Sequence, residues 1–196
     1  MEIIGLTGGM ASGKSECARY LRSRGIKVLD ADGISRELTR AGNIGARRLM
    51  EELGPEFFIN GELDRARTAQ WAFSSPENTE KLNAVLHPLV LSRLNEDINR
   101  LKAEGEKAAV IDCPLLFESG LDKACSQIWL VTADYETRLR RAQERSGLSR
   151  AQANARMERQ LSDGERAARS NIIIENNGSL AELEEKLRPL ADGLLG

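Results

Sequence analysis

The chain has 196 residues, enough for one sizeable core with small inserted lobes. With 41% hydrophobic residues, 30% charged residues and a formal net charge of −2, it reads as a globular protein whose charge balance points to neither nucleic acid nor a membrane surface. No apolar stretch approaches the roughly 18 residues of a membrane span, no secretory signal opens the chain, and Cys17, Cys113 and Cys125 lack metal-type spacing, so a reducing, cytoplasmic setting is expected.

The first apolar run, residues 2–7, predicts a strand. Gly8-Gly9-Met10-Ala11-Ser12-Gly13-Lys14-Ser15 follows at once, a complete G-x-x-x-x-G-K-[ST] phosphate loop. Its glycines let successive backbone N–H groups turn around an anion. Lys14 reaches the β- and γ-phosphates, and the Ser15 hydroxyl can hold Mg²⁺. The next helix runs through Cys17, Ala18, Tyr20 and Leu21 and ends at Gly25. It aims its positive dipole end at the same phosphates. A glycine-rich turn that binds nothing is the alternative, and the strand–loop–helix context argues against it. A nucleoside triphosphate is therefore the expected ligand.

Lys27-Val28-Leu29-Asp30 predicts a short buried strand, with Asp30-Ala31-Asp32 at its carboxyl end. Residues 34–105 are helical in pattern and rich in charge. Breaks fall at Gly42, Gly45, Gly54-Pro55, Asn60-Gly61, Ser74-Ser75-Pro76 and Pro88, and no convincing strand occurs, which predicts an inserted helical lobe. Residues 108–112 and 127–132 are two further buried strands, the first stopped by Pro114. Residues 135–146 and 149–160 predict two helices joined around Gly147, with Ser149 as N-cap. Residues 171–175 are the last strand, and Asn176-Asn177-Gly178 is a turn. Ser179 caps an amphipathic helix to about residue 191, with Leu180, Leu183 and Leu187 on one stripe.

Strands alternating with helices mean an α/β fold with a parallel sheet. Ligands of such sheets gather at the carboxyl ends of the strands, which gives the phosphate loop three expected neighbours: Asp30/Asp32, residues 112–114 and residues 176–178. There Asp32 could take a proton from an acceptor hydroxyl, or it could simply cap the helix beginning near Gly33. Asp30 reads as a structural partner or a water-mediated contact to Mg²⁺. Asp112 reads equally as a metal-side aspartate or as a solvated strand end. Arg138, Arg140, Arg141, Arg145, Arg150, Arg156, Arg159, Arg166 and Arg169 crowd the helix pair after residue 137. Such a pair resembles a mobile lid over a triphosphate, although for most of these arginines a solvated helix face is the expected role.

Taken together, these segments resemble dephospho-coenzyme A kinases over nearly the full chain. The shared pattern runs from Ile4-Gly5-Leu6-Thr7 through the phosphate loop to Asp30-Ala31-Asp32. It continues in Leu63-Asp64-Arg65, Leu86-His87-Pro88 and Pro114-Leu115-Leu116-Phe117-Glu118. It closes with Arg141, Arg145, Arg156, Gln160 and Ile173-Ile174-Glu175-Asn176-Asn177-Gly178. The phosphate loop is common to many kinases; the Asp-Ala-Asp, Leu-His-Pro and Pro-Leu-Leu-Phe-Glu steps are more specific.

The resemblance implies a P-loop kinase fold: a five-stranded parallel sheet flanked by helices, with a helical substrate lobe and a lid. The nucleotide-binding core would comprise residues 1–33, 106–137 and 166–196, the acceptor lobe residues 34–105 and the lid residues 138–165. The implied reaction moves the γ-phosphate of ATP to the ribose 3′-hydroxyl of dephospho-coenzyme A, with Mg²⁺ as cofactor at Ser15. Asp32 is cast as the base, with Lys14 and Arg141 as the other catalytic groups. Gly8, Gly9, Met10, Ala11, Ser12, Gly13, Lys14, Ser15, Glu16, Arg141, Arg145 and Asn176 would bind ATP. Thr7, Asp32, Arg65, His87, Pro114 and Leu115 would bind the acceptor. No nucleic acid, membrane or obligate protein partner is expected. Two positions depart from the family pattern, Ser170-Asn171 and Glu175, both expected near the adenine pocket. Rival readings are a nucleoside monophosphate or shikimate-type kinase, and a nucleotide-dependent switch. The switch reading lacks the guanine-reading Asn-Lys-x-Asp segment.

Overall fold

A computed structural model describes residues 1–158 and 160–196, so Arg159 lies outside the described residues. The chain divides into two compact units, residues 1–29 with 101–196, and residues 30–100.

The first unit is built on a five-stranded parallel sheet. Its strands are β1 (Glu2–Gly8), β2 (Lys27–Asp30), β5 (Ala108–Asp112), β6 (Gln127–Thr132) and β7 (Ile172–Glu175), in the order β2-β5-β1-β6-β7. The central strands are apolar without alternation because both faces are covered: β1 is buried from Ile3 to Gly8 and β5 throughout. Register places Leu6 of β1 opposite Asp112 on one side and Trp129 on the other. Helices α1 (Lys14–Ser23) and α9 (Leu180–Leu195) cover one face. There Leu21, Leu183 and Leu187 join Ile4, Leu6, Val110 and Trp129 in one core. Each fully buried leucine of this kind contributes roughly 1.5–3 kcal/mol. Helices α6 (Tyr135–Ser146) and α7 (Arg150–Met157) meet through Leu139, Ala142 and Ala153, and Met10 and Ala11 of the phosphate loop pack against them.

Caps explain most helix ends. Gly25, at φ 87, follows the C-cap of α1. Ser149 and Gln152 form a capping box on α7, and the Ser179 side chain accepts from Glu182 N on α9. The helix expected over 149–160 stops earlier, at Met157, and a short helix α8 (Asp163–Ala168) follows it. Its capping box, Ser162 with Glu165, was a legible start signal that the periodicity reading passed over.

The second unit carries α2 (Ala31–Leu38), α3 (Ile44–Leu53), α4 (Arg65–Ala72) and most of α5 (Pro76–Ala103). Two expectations are corrected here. A small hairpin is present, β3 (Phe58–Ile59) paired antiparallel with β4 (Glu62–Leu63). Its turn is Asn60-Gly61, both with positive φ (52 and 82), the conformation such a dipeptide favours between paired strands. Pro88 does not break the helical run, because α5 continues through it. Proline withholds one N–H from the Ala84 carbonyl, and 28 residues of helix outweigh that single loss.

Candidate active site

The loop after β1 is shaped by backbone rather than by large side chains. Gly13 lies at φ 100, and Ala11 at φ 60 is one of the two non-glycine residues described at positive φ. A side chain at Gly13 would be strained, and its Cβ would collide with Asn176 Nδ2. Ser12 N closes a turn onto Gly9 O at 3.1 Å. No side chain caps α1, and Glu16 N is taken by Gly13 O, so the Lys14 and Ser15 amides are the ones left at the helix start, the arrangement that favours an anion. Asn176 holds the loop from beneath: its Nδ2 donates to Ser12 O at 2.8 Å, while its own N donates to Thr132 O at 2.7 Å. Gln160 Oε1 accepts from Met10 N at 2.9 Å. Ser15 is exposed at the helix start, and Glu16, half-buried, pairs with Arg19.

Lys14 Nζ donates to Asp112 Oδ1 across β1 and β5. Asp112 is 8% exposed, so the solvated strand-end reading is corrected: it is a buried carboxylate facing the loop lysine. Thr7, expected at the acceptor, is fully buried, and its hydroxyl donates to Pro114 O at 3.3 Å. It ties β1 to the turn that presents Leu115, which is 47% exposed.

The arginines separate by burial. Arg140, Arg145, Arg150, Arg156 and Arg169 are exposed, as a solvated face requires. Arg141 is half-buried and donates to two carbonyls of the loop after β7, Asn176 O at 2.9 Å and Gly178 O at 3.4 Å. Arg138 and Arg166 are buried beside Gly9. The sequence names both only within the crowd of arginines expected mostly on a solvated face, and their burial corrects that expectation for these two. A signal existed for Arg138, which shares the buried face of α6 with Leu139 and Ala142.

The departure at Asn171 is structural. Asn171 Oδ1 accepts from Ile128 N at 2.7 Å, and Asn171 N donates to Ile128 O at 2.9 Å. It therefore clamps the amino end of β7, about 16 Å along the chain from Asn176 at the carboxyl, ligand-facing end. This gives the position a structural role of its own, and an amide oxygen accepts from an N–H as a carboxylate would. Glu175, exposed, has its carbonyl engaged by Lys186 Nζ at 2.7 Å.

Within residues 30–100, the helix cap belongs to Asp30, not Asp32. Asp30 Oδ1 accepts from Gly33 N at 2.9 Å, and Oδ2 lies 3.2 Å from Arg36 Nη2. Asp32 is an exposed first-turn residue of α2, so capping no longer accounts for it. Arg65 Nη2 donates to Arg36 O at 3.0 Å and Thr39 Oγ1 at 2.9 Å, tying α4 to the end of α2. His87 is half-buried in α5, and that burial pushes its pKa below the ordinary value.

Among the described residues no cluster of three or more His, Cys, Asp or Glu could cage a metal. Ser15 and Asp112 instead suit Mg²⁺ held largely by water and phosphate oxygens. Among the described residues five buried side-chain polar atoms lack a hydrogen-bond partner, and all but Asp122 Oδ1 belong to the loop or its two neighbouring arginines: Ser12 Oγ, Arg138 Nε, and Arg166 Nε and Nη2. Donors left open beside a glycine-rich anion loop fit a phosphate chain. Among the described residues no helix is long and apolar enough to cross a membrane.

Comparison with known proteins agrees with this geometry. The family model described as dephospho-CoA kinase matches residues 2–182. The dephospho-CoA kinase of Fusobacterium nucleatum is 38% identical over 186 residues, covering 94% of each chain. The crystal structure of TT1252 from Thermus thermophilus superposes with a TM-score of 0.85 at 38% identity, covering 100% of this chain and 98% of that one. A dephospho-CoA kinase from Campylobacter jejuni has a TM-score of 0.71 at 23% identity, covering 98% and 99%, a likeness of fold. The matched span takes in the phosphate loop, the Asp-Ala-Asp step and the Asn176 clamp, and on these grounds the chain belongs to the dephospho-CoA kinase family.

Proposed function

We propose that this enzyme transfers the γ-phosphate of ATP to the ribose 3′-hydroxyl of dephospho-coenzyme A, releasing ADP and coenzyme A. The observation that carries this reading is the phosphate loop itself. Lys14, the open amides of α1 and unpartnered donors converge on one strand end in a chain of this family. Such a loop cradles the β- and γ-phosphates, so the chain supplies position and charge rather than covalent chemistry. When nucleotide arrives, Lys14 exchanges Asp112 for phosphate oxygens. Mg²⁺, when bound at Ser15, neutralises charge on the phosphates.

Residues 34–105 are proposed as the acceptor lobe, with Arg65, His87 and Leu115 as acceptor contacts. Residues 138–165 are proposed as the lid, with Arg141 and Arg145 toward the nucleotide. Asp32 is proposed to accept the proton of the attacking hydroxyl and hold its oxygen in line with phosphorus. Its exposure, and the assignment of the cap to Asp30, support that role. The proposed setting is the cytoplasm.

A coupled ADP-release assay with dephospho-coenzyme A, adenosine monophosphate and shikimate as alternative acceptors tests the reading. ADP release is expected with dephospho-coenzyme A alone, and preferential turnover of either other acceptor would overturn it. A parallel thermal-shift comparison of ATP with GTP separates a kinase from a guanine-nucleotide switch.

A further inference from the structure

Two cations lie buried side by side at Gly9, with Asp163, Glu118 and Glu165 near them but with several guanidinium hydrogen bonds unmade. Arg138 on α6 is 6% exposed and Arg166 on α8 is 1% exposed. A Cβ built on Gly9 would overlap Arg138 Nη1 and lie 3.3 Å from Arg166 Nη1, so both guanidinium tips border that one residue of the phosphate loop. Burying a charge is costly unless it is paired and hydrogen-bonded. Here the pairing is incomplete. Asp163 accepts from Arg138 Nη2 at 2.6 Å, and its other oxygen is 3.7 Å from Arg166 Nη1. Glu118 is 3.9 Å from Arg166 Nη2, an ion-pair distance but beyond hydrogen bonding. Arg166 Nε and Nη2 and Arg138 Nε have no hydrogen-bond partner. Burial, with the like charge of Arg138 adding to it, also pulls the Arg166 pKa downward.

Resting on the ATP-dependent reading above, we propose that Arg138 and Arg166 together hold the terminal phosphoryl group of the bound triphosphate at Gly9. A terminal phosphate offers three acceptor oxygens and a charge near −2, which matches two forked donors that repel each other when empty. The same pair stabilises charge spread over those oxygens as transfer proceeds. Arg141, held by the carbonyls of Asn176 and Gly178, is not part of this pair.

The rival explanation is a latch: the two arginines merely fasten α6 and α8 to the core. A latch and a γ-phosphate site differ in one readout, the ratio of triphosphate to diphosphate affinity. Calorimetric titration of wild type, Arg138→Gln, Arg166→Gln and Arg166→Lys with ADP and with a non-hydrolysable ATP analogue measures it. The exposed neighbour variant Arg140→Gln serves as control. Analogue affinity is expected to fall at least about tenfold in the glutamine variants while ADP affinity changes less than about twofold. The turnover number should drop about 10²–10³-fold, the range for losing one such donor. Arg166→Lys keeps the charge but not the fork, and it carries the comparison if Arg166→Gln fails to fold. Equal loss for both nucleotides, or no loss for either, overturns the proposal. Failure of wild type itself to bind the analogue would instead overturn the ATP reading, so the two failures are distinct.

Discussion

Replacing Lys14 by methionine separates its two duties. Its ammonium compensates Asp112, and the two side chains are 15% and 11% exposed. Methionine keeps the stem and removes the charge, which leaves a carboxylate unpaired between β1 and β5. Breaking a buried pair from one side costs about 3–5 kcal/mol, and the residual exposure puts this case near the lower figure. At about 2–4 °C per kcal/mol for a chain of this size, the melting temperature should drop by roughly 6–12 °C. Turnover should fall by at least about 10²-fold, since the cation on the β- and γ-phosphates is gone. The double variant Lys14→Met/Asp112→Asn removes both charges and should recover most of the stability and none of the turnover. Denaturant midpoints and steady-state rates on the same preparations provide the comparison. Wild-type stability in Lys14→Met would refute the pairing argument, and near-normal turnover would refute the phosphate-loop mechanism.

Three further substitutions probe the second unit. Asp32→Asn should retain ATP affinity, lose roughly 10²–10⁴-fold in kcat, and change stability by no more than about 1 kcal/mol, because Asp30 carries the cap, Asp32 is exposed, and asparagine keeps its size and an accepting oxygen. Rapid transfer in this variant would assign the base elsewhere. Arg65→Ala should raise KM for dephospho-coenzyme A and leave that for ATP within about twofold; a selective loss for ATP would contradict the acceptor-lobe placement. His87 has a folded-state pKa below its ordinary 6.5 because burial disfavours the imidazolium. The unfolded chain then binds more protons below about pH 6.5, so stability is present above that pH and declines as pH falls through it. His87→Gln should flatten that slope in denaturant midpoints measured between about pH 5 and 7.5, and an unchanged slope would assign it to other groups.

The sheet was legible because physics leaves few alternatives for it. A strand buried on both faces must be apolar along most of its length, and residues 3–6 and 108–111 are, with the polar Thr7 and Asp112 falling only at the ligand-facing ends. The phosphate loop was legible because its glycines serve backbone geometry that few sequences satisfy. What escaped the reading depended on contacts distant in sequence. Arg138 resembles its neighbours Arg140 and Arg141 as a residue type, and only its position beside Leu139 and Ala142 marks it as buried. Asp30 and Asp32 lie two residues apart, so either could cap a helix starting nearby. The helix starts at Ala31, two residues earlier than a cap at Asp32 requires. The Asn60-Gly61 hairpin is only two residues per strand, too short for alternation to register. The intrinsic preference of Pro88 predicts a stop, whereas residues on both sides of it continue one long helix.

The proposed reaction moves the terminal phosphate of ATP onto one hydroxyl of dephospho-coenzyme A. Single-turnover transfer from γ-labelled ATP, with the product identified by phosphorus NMR, measures it most directly. The account predicts that the label appears on the ribose 3′ position of coenzyme A with one ADP formed per transfer. Label released as inorganic phosphate, or carried by any other position of the acceptor, would contradict it.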